Sequence, residues 1–197
     1  MKLNIGLVPF VKKKYDFFVK SVDMNLIKFV NFCFKNSNIK ILHGQKTDLD
    51  LIILSGSNEL LKYSNNTEDK IRSKIDTFYL NIAIKRKIPV IGICYGAQFI
   101  AKKYKSKIIR SSNHVKKKHQ IIFKNSFKSE KKIFVNSFHN YIISKASKKI
   151  NPLAFSTKDK SVEYFKVKGL KIAGIMWHPE RNEKFSKIDK LIFKSIL

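Results

Sequence analysis

A cysteine between two glycines marks the point where an apolar run gives way to a helical pattern. The run Ile88–Ile93 overlaps the pentapeptide Gly92–Gly96, which contains Cys94, and the helical pattern Ala97–Lys103 follows. This order predicts a tight strand-to-helix turn that presents a nucleophile, since larger residues than glycine would collide with the crowded backbone. The positive end of the following helix would favour the thiolate of Cys94. Taken alone, the pattern leaves one alternative, a buried cysteine that only packs at a strand end.

A histidine and a glutamate two residues apart follow another apolar run near the end of the sequence. The segment Trp177-His178-Pro179-Glu180 comes directly after Ile172–Met176. Because Pro179 disfavours helical backbone at His178, we expect an extended segment in which His178 and Glu180 project to the same side. A carboxylate beside an imidazole fixes its tautomer and stabilises the imidazolium, which is the work of the orienting member of a catalytic triad. Together the two motifs predict a triad of Cys94, His178 and Glu180.

Strand and helix patterns alternate in the first half of the chain and predict the elements that position these residues. The expected strands are Leu3–Val8, Ile39–Leu42, Leu49–Leu54 and Ile88–Ile93, and the expected helices are Val22–Phe34 and Glu68–Lys87. After Tyr104 short strand patterns dominate, and an amphipathic helix is expected at Glu183–Leu197. The alternation predicts an α/β fold with an open, mainly parallel sheet, helices on both faces and a β-rich addition in the second half. We expect a single domain, residues 1–197, because no linker composition divides the sequence.

The formal net charge of +27 raises the question of a nucleic-acid surface. Only four of the 41 basic residues are arginines, the side chain on which base reading and bidentate phosphate contacts depend most. The lysines are spread along the whole chain, so we interpret the charge as compositional bias rather than as a nucleic-acid interface. A basic field of this kind would still attract an anionic substrate. No apolar run reaches the length of a membrane span, and the apolar N-terminal stretch is too short for a secretion signal, so we expect a cytoplasmic protein.

The remaining cysteine and histidines give no sign of a metal or cofactor site. Cys33 lies in an aromatic helical pattern and is interpreted as a packing residue. His43, His114 and His119 have no ligand-like partners nearby in the sequence, so they are predicted to be non-catalytic. Glycine-rich phosphate loops are absent from the sequence. We therefore expect neither a metal ion nor a cofactor.

Three motifs, taken in order, resemble the class I glutamine amidotransferases. They are Gly92–Gln98 around the cysteine, Trp177–Arg181 around the histidine, and Val135–Asn140, which resembles the Asn-Ser-x-His segment of the γ-glutamyl hydrolase branch. The resemblance spans residues 49–181 in the order and approximate spacing of that family. It implies a flavodoxin-like core and the cleavage of a γ-glutamyl amide through a thioester on Cys94, with His178 as the proton shuttle.

The resemblance also implies roles for residues around the triad. The backbone N–H of Tyr95 would donate one hydrogen bond to the oxyanion, and the amide nearest Gly56 would donate the second. The sequence departs from the family here, because Leu54-Ser55-Gly56-Ser57 has a single glycine where a Gly-Gly pair is usual. The residues expected to contact the glutamyl group are Gln98, Ser137 and His139.

Three functions stay open at this point. Tyr95 and the run Met176–Arg181 resemble the branch members that cleave γ-glutamyl-CDP-amidate in bacterial capsule biosynthesis, and the basic surface suits a diphosphate. This favours a self-standing hydrolase of a nucleotide-linked γ-glutamyl substrate. The alternative is a glutaminase subunit that passes ammonia to a separate synthetase partner. A remote alternative is a basic nucleic-acid interaction module, which would be indifferent to Cys94→Ala.

Overall fold

The computed structural model of the chain describes residues 2–124 and 132–197. Its strands are β1 (Asn4–Val8), β2 (Phe10–Lys14), β3 (Phe17–Ser21), β4 (Asn38–Ile41), β5 (Leu51–Leu54), β6 (Val90–Ile93), β7 (Lys107–Arg110), β8 (Lys117–Phe123), β9 (Lys132–Ser137), β10 (Tyr141–Lys145), β11 (Ile150–Ser156), β12 (Val162–Val167) and β13 (Ile172–Ile175). Its helices are α1 (Met24–Cys33), α2 (Thr67–Arg86), α3 (Tyr95–Lys103) and α4 (Lys187–Lys194), with a 3₁₀ turn at Pro179–Arg181.

Five strands form a parallel sheet in the spatial order β4-β1-β5-β6-β13. Counted along the chain within this group, the order is 2-1-3-4-5, which is the flavodoxin-like arrangement. The central strands β5 and β6 are buried along their whole lengths and consist largely of leucine, isoleucine and valine. A parallel sheet covered on both faces has this composition, because neither face of its strands meets water.

Helices cover both faces of this sheet, as the sequence predicts. On one face α1 and α4 pack against inward-facing strand residues such as Leu51 and Ile53. On the other face α2 and α3 pack against the alternate residues Ile52 and Leu54. Successive side chains of a strand point to opposite faces, so one short apolar strand contributes to both cores.

The second half of the chain extends the sheet with antiparallel strands. Strand β12 pairs antiparallel with β13, and β11, β8 and β9 follow outward in that order. Strand β10 pairs with β12 and with β7. The β-rich addition predicted from the sequence therefore continues the central sheet, and it brings β9 and β12 close to the carboxyl end of β13.

Three details differ from the sequence prediction. The antiparallel hairpin of β2 and β3 was not expected, because its run of lysines hides the strand pattern. Strand β10 was also missed. The last helix is shorter than predicted, since Ser186 caps it by accepting a hydrogen bond from the backbone N–H of Ile188.

Within residues 2–124 and 132–197, none of the helices combines the length and the apolar character needed to cross a membrane.

Candidate active site

Cys94 occupies a strained turn between β6 and α3. Its backbone has φ 50° and ψ −104°, a conformation that a residue with a side chain rarely adopts. The flanking glycines are required by close contacts: a methyl group on Gly92 would overlap the backbone of Gly96, and one on Gly96 would overlap the carbonyl oxygen of Leu54. The turn thus matches the predicted elbow, and it places Cys94 at the N-terminus of α3.

His178 and Glu180 lie at the carboxyl end of β13, the strand next to β6. The imidazole Nδ1 is 2.5 Å from Glu180 Oε1, and both side chains are buried. The predicted extended geometry is wrong beyond His178, because Pro179–Arg181 forms a 3₁₀ turn. His178 itself stays out of the helical region, with φ −108° and ψ 88°, as a residue before proline should. The turn, rather than strand alternation, brings the carboxylate to the ring.

The backbone of His178 is held by Asn136, a residue whose role was not predicted from the sequence. Asn136, in β9, accepts a hydrogen bond from the N–H of His178 at 2.9 Å and donates one to its carbonyl oxygen at 2.7 Å. These two hydrogen bonds hold the backbone N–H and C=O of His178, the residue that carries the imidazole. The amide also donates to Asn182 Oδ1. Asn136 belongs to the motif Val135–Asn140. An asparagine within a predicted strand was the sequence feature that could have indicated its role.

The electrostatic environment of His178 favours its protonated form. Burial alone lowers the pKa of His178, but the negative charge of a Cys94 thiolate, a hydrogen bond with that sulfur and the interaction with Glu180 outweigh it. Together they raise the pKa of His178 to about 9. Cys94 and His178 also line the same cavity. At neutral pH His178 is therefore protonated in the cavity that it shares with Cys94.

Two backbone amides are available as donors near the thiol. Tyr95 is the first residue of α3, and the first N–H groups of a helix have no partner within it. Gly56 lies in the loop after β5, so close to His178 that a methyl group on it would be 2.6 Å from the ring carbon Cε1 and 3.5 Å from the Cβ of Cys94. Both predicted oxyanion donors are therefore near the candidate nucleophile.

A buried arginine ties the Gly56 loop to helix α2. Arg72 donates to the Ser55 carbonyl oxygen at 2.7 Å and to the Ser55 hydroxyl at 3.1 Å, and its guanidinium stacks over the Tyr95 ring at 4.9 Å. Asp76, one turn later on α2, binds its Nε at 2.8 Å, and both side chains are fully buried. Burial raises the pKa of Asp76 to about 6, although Arg72 counteracts this. The role of Arg72 was not predicted, because an arginine in a segment that also contains several lysines gives no sign of burial.

The predicted substrate residues separate into two groups. Gln98 and His139 line a cavity of about 240 Å³ that also contains Cys94, Tyr95 and His178. Gln98 is buried and donates from Nε2 to the Tyr141 carbonyl oxygen at 3.3 Å. Ser137 lies outside the lining of this cavity; it is fully buried, and its hydroxyl donates to the His114 carbonyl oxygen at 2.6 Å. A direct contact of Ser137 with a substrate is therefore not what this geometry supports.

A second cleft adjoins the cavity and shares Phe138 and Arg181 with it. The cleft has a volume of about 440 Å³, and its basic lining residues are Lys116, Lys117, Lys118, Arg181 and Lys184. The guanidinium of Arg181 also stacks over the Phe138 ring at 5.0 Å. Five basic side chains against one acidic residue, Glu183, give this cleft a positive electrostatic potential beside the cavity that contains Cys94.

Three histidines surround a buried glutamate behind the cavity wall. The predicted lack of ligand-like partners is wrong for His114 and His119, which both lie within 3.5 Å of the Glu163 carboxylate. Burial and the neighbouring His114 lower the pKa of His139 to about 3, whereas burial raises the pKa of Glu163. His114, His139 and Glu163 offer ligand atoms within 4.8 Å of one another. This cluster could not be predicted from the sequence, because its residues come from three separate segments.

Comparison with known proteins adds evidence of ancestry to this geometry. The profile "Glutamine amidotransferase class-I" matches residues 22–195. The chain is 40% identical over 140 residues to a γ-glutamyl-CDP-amidate hydrolase of Campylobacter jejuni, covering 71% of this chain and 66% of that protein. It is 32% identical over 138 residues to a subunit of the glutamine-hydrolyzing GMP synthase of Methanococcus vannielii, covering 66% of this chain and 63% of that protein.

The chain spans just under two thirds of the length of these relatives. A crystal structure of a glutamine amidotransferase from Thermotoga maritima superposes with a TM-score of 0.71 at 17% identity, covering 98% of this chain and 82% of that one. At this identity the superposition shows the shared fold. Because the family profile matches most of the sequence and the fold agrees, the chain belongs to the class I glutamine amidotransferases.

Proposed function

We propose that this protein hydrolyses a γ-glutamyl amide bond, with Cys94 as the nucleophile, His178 as the general acid and base, and Glu180 as the residue that orients His178. The observation that carries the proposal is the joint position of Cys94 and His178 on one cavity, with Glu180 bonded to the far nitrogen of the imidazole. A nucleophile, a base within reach and a third group that orients the base are the parts that covalent acyl transfer needs.

The reaction begins with attack of the Cys94 thiolate on the γ-carbonyl carbon, which moves the carbonyl electron pair onto oxygen. The N–H groups of Tyr95 and of the Gly56 loop stabilise that oxyanion. His178 then gives its proton to the departing nitrogen, and the C–N bond breaks to leave a γ-glutamyl thioester. Water attacks the thioester while His178 accepts its proton, and the C–S bond breaks. The products are glutamate, the freed amine and the regenerated thiolate.

For the substrate we propose γ-glutamyl-CDP-amidate, which would place the enzyme in bacterial capsule biosynthesis. The cavity of about 240 Å³ is smaller than the roughly 300–1,000 Å³ that drug-sized ligands occupy. It suits an amino-acid-sized group and leaves a nucleotide to lie outside it. The basic cleft shares Phe138 and Arg181 with the cavity, so a diphosphate attached to the γ-glutamyl group would meet positive charge there. The Campylobacter jejuni relative carries this activity in its name.

Comparing the turnover of two substrates tests the proposal. Glutamate release is measured as kcat/KM with glutamine and with γ-glutamyl-CDP-amidate, for the unmodified protein and for Cys94→Ala. We expect the nucleotide conjugate to be preferred by orders of magnitude, and the variant to lose a factor of about 10⁴ or more. Equal turnover of the two substrates would remove the nucleotide proposal. Full activity of Cys94→Ala would remove the cysteine mechanism.

A glutaminase subunit is the second candidate, and the 32% identity to the Methanococcus vannielii GMP synthase subunit favours it. In that case ammonia from glutamine would pass to a separate synthetase, and hydrolysis by the isolated protein would be slow. The kinetic comparison above separates the two candidates, because a glutaminase of this kind would not prefer the nucleotide conjugate. Both Cys33 and Cys94 are free thiols, which suits the reducing cytoplasm in which we propose that either reaction takes place.

A further inference from the structure

Three imidazole nitrogens converge on one carboxylate oxygen in the described part of the chain. Glu163 Oε1 lies 3.4 Å from His119 Nε2, 3.5 Å from His114 Nδ1 and 3.9 Å from His139 Nε2. Glu163 belongs to β12, His119 to β8, and His114 and His139 to the loops beside β8 and β9. The side chains of Glu163 and His139 are each 1% exposed and that of His114 is 3% exposed, so water does not reach the group freely.

The outer hydrogen bonds of two histidines decide which of their nitrogens point inward with a lone pair. His114 Nε2 is 2.7 Å from a carboxylate oxygen of Asp159, and His139 Nδ1 is 2.9 Å from the carbonyl oxygen of Tyr141. The Tyr141 carbonyl oxygen has no proton to donate, and Asp159 accepts two further hydrogen bonds, from the backbone N–H and the hydroxyl of Ser161, as a carboxylate does. The outer nitrogens must therefore carry the protons. In the neutral rings, the inner nitrogens then face Glu163 as acceptors.

The lone pairs of these two imidazole nitrogens and the buried carboxylate of Glu163 repel one another, so a positive charge is needed between them. Neither of the inner nitrogens of His114 and His139, nor either oxygen of Glu163, has a hydrogen-bond partner among the described residues. The basic groups found within 4.0 Å of this carboxylate in residues 2–124 and 132–197 are the three imidazoles themselves. An uncompensated buried carboxylate is strongly destabilising, so a proton or a metal ion must occupy the space.

We infer that this cluster is a binding site for a divalent transition-metal ion of the Zn²⁺ type, with His114 Nδ1, His139 Nε2 and Glu163 Oε1 as ligands and His119 Nε2 in the fourth position. Ligands at about 2.0–2.2 Å from a tetrahedral zinc lie about 3.4 Å apart. The separations around Glu163 Oε1 are 3.4, 3.5 and 3.9 Å, and the ligand atoms of His114, His139 and Glu163 lie within 4.8 Å of one another, so the side chains would move slightly inward when the ion binds. Histidine ligands that donate their outer N–H to a carboxylate or a carbonyl oxygen are the usual arrangement around such ions. Neither the family assignment nor the proposed hydrolysis calls for a metal here.

The site would be structural, since four protein ligands leave no open position for a reacting molecule. It would join β8, β12 and the loop after β9. His139 has one face on the cavity beside Cys94 and would be fixed by the ion. The competing explanation is a shared proton, with one imidazolium paired to Glu163 and no metal.

Metal binding is measured without any substrate, so the result does not depend on the proposed reaction. Cys94→Ala serves as the parent protein, because a thiolate beside His178 could itself bind zinc. We expect one equivalent of Zn²⁺ per chain, held in competition with a chromophoric chelator. Glu163→Gln keeps the shape of the side chain and removes its charge, and with His139→Ala it should weaken zinc binding by at least tenfold. His119→Ala should weaken it less.

Two comparisons keep the inference falsifiable if a ligand variant folds poorly. His43→Ala, which removes an exposed histidine outside the cluster, should bind zinc as the parent does. Crystals of the Cys94→Ala protein grown with zinc should show an anomalous peak, above but not below the zinc edge, between His114, His139 and Glu163. No equivalent of bound zinc, or a peak only at another place, would overturn the site and favour the shared proton.

Discussion

The pKa of His178 is the property of a single residue on which the proposed chemistry depends most. An imidazole buried among neutral groups would lose its proton well below neutral pH. Here Cys94 and Glu180 reverse that tendency and raise the pKa of His178 to about 9. At physiological pH the ring can therefore give a proton to a departing nitrogen, as the proposed mechanism requires.

Glu180→Gln should move the alkaline limit of activity to lower pH. In the unmodified protein kcat/KM should fall as pH rises through about 9, because His178 then loses the proton that the leaving group needs. Glutamine keeps the size of the side chain but removes its negative charge, so the pKa of His178 falls and the alkaline limb shifts to lower pH. The measurement is a pH profile of kcat/KM for both proteins.

The control for this experiment is Glu68→Gln, which removes a carboxylate that does not contribute to the pKa of His178. Its alkaline limb should coincide with that of the unmodified protein. A limb that stays in place in Glu180→Gln would mean that Glu180 does not set the charge of His178. Cys94→Ala is inactive under the proposed mechanism, so its His178 is titrated by nuclear magnetic resonance instead. The pKa of His178 should be lower in this variant than in the unmodified protein, because the charge of Cys94 is gone.

At the scale of elements, strand ends and loops bring the candidate site together. Strands β5, β6 and β13 are neighbours in the sheet, so the loops at their carboxyl ends carry Gly56, Cys94 and His178 to one place. Helix α2 contributes through Arg72, which binds both the loop after β5 and the Tyr95 ring. Because Arg72 holds the carbonyl groups of Ser55 and Gly56 and also packs on the Tyr95 ring, we expect the geometry to be fixed before substrate arrives.

The elbow glycines should be far less tolerant than a glycine that meets only a side chain. The extra methyl of Gly92→Ala would overlap the backbone of Gly96 and Ala97, which cannot move without displacing α3. We expect a loss of unfolding free energy of about 1–3 kcal/mol or more. In Gly6→Ala the methyl meets the Leu42 side chain, which can rotate, so the loss should be smaller. Urea unfolding of both variants measures the difference, and equal losses would contradict it.

Arg72→Met should reduce both stability and activity, for separable reasons. It leaves Asp76 buried without its partner, which costs about 3–5 kcal/mol in comparable cases. Adding Asp76→Leu removes that carboxylate and should restore most of the unfolding free energy. The loop after β5 would still lack its anchor, so kcat should stay low in the double variant.

The matched control is Arg86→Met, on the same helix. Arg86 is half exposed, and its nearest carboxylate, that of the exposed Asp48, is 3.7 Å away. Its stability should change by less than about 1 kcal/mol, since exposed ion pairs contribute little. Recovery of kcat together with stability in the Arg72→Met/Asp76→Leu protein would show that Arg72 acts only on folding. Urea unfolding and steady-state kinetics of the same preparations provide both readouts.

Local patterns predicted the elements better than they predicted the contacts between them. The elbow at Cys94 and the pair His178–Glu180 were visible because each is contained in a few adjacent residues. Other important contacts join residues that are at least 16 positions apart in sequence, as for Asn136, Arg72 and Glu163. The Arg72–Asp76 pair is the exception among them. A single sequence shows the type of such a residue but not its partner. The β2–β3 hairpin was missed for a different reason, because lysines on an exposed ribbon break the apolar alternation.

At the scale of the whole molecule, the parallel and antiparallel halves of the sheet supply different residues of the candidate site. The parallel half supplies Cys94, His178 and the Gly56 loop, as the flavodoxin-like order would suggest. The antiparallel half supplies Asn136, which holds the His178 peptide, and His139 in the cavity wall. It also carries Lys117 and Lys118 of the basic cleft, so the features that would distinguish one substrate from another lie mainly in the addition.

The overall charge of +27 leads to a prediction about salt that depends on which substrate is used. If the basic cleft receives a diphosphate, kcat/KM for the nucleotide conjugate should fall as ionic strength rises, because salt screens the exposed lysines. Glutamine has no net charge at neutral pH, so its kcat/KM should change little. Lys117→Glu/Lys118→Glu should lower kcat/KM for the conjugate by about tenfold or more, and should flatten its salt dependence. The control Lys35→Glu/Lys194→Glu changes the net charge equally in a different cleft. An equal loss in both double variants would mean that the general field, rather than this cleft, attracts the substrate.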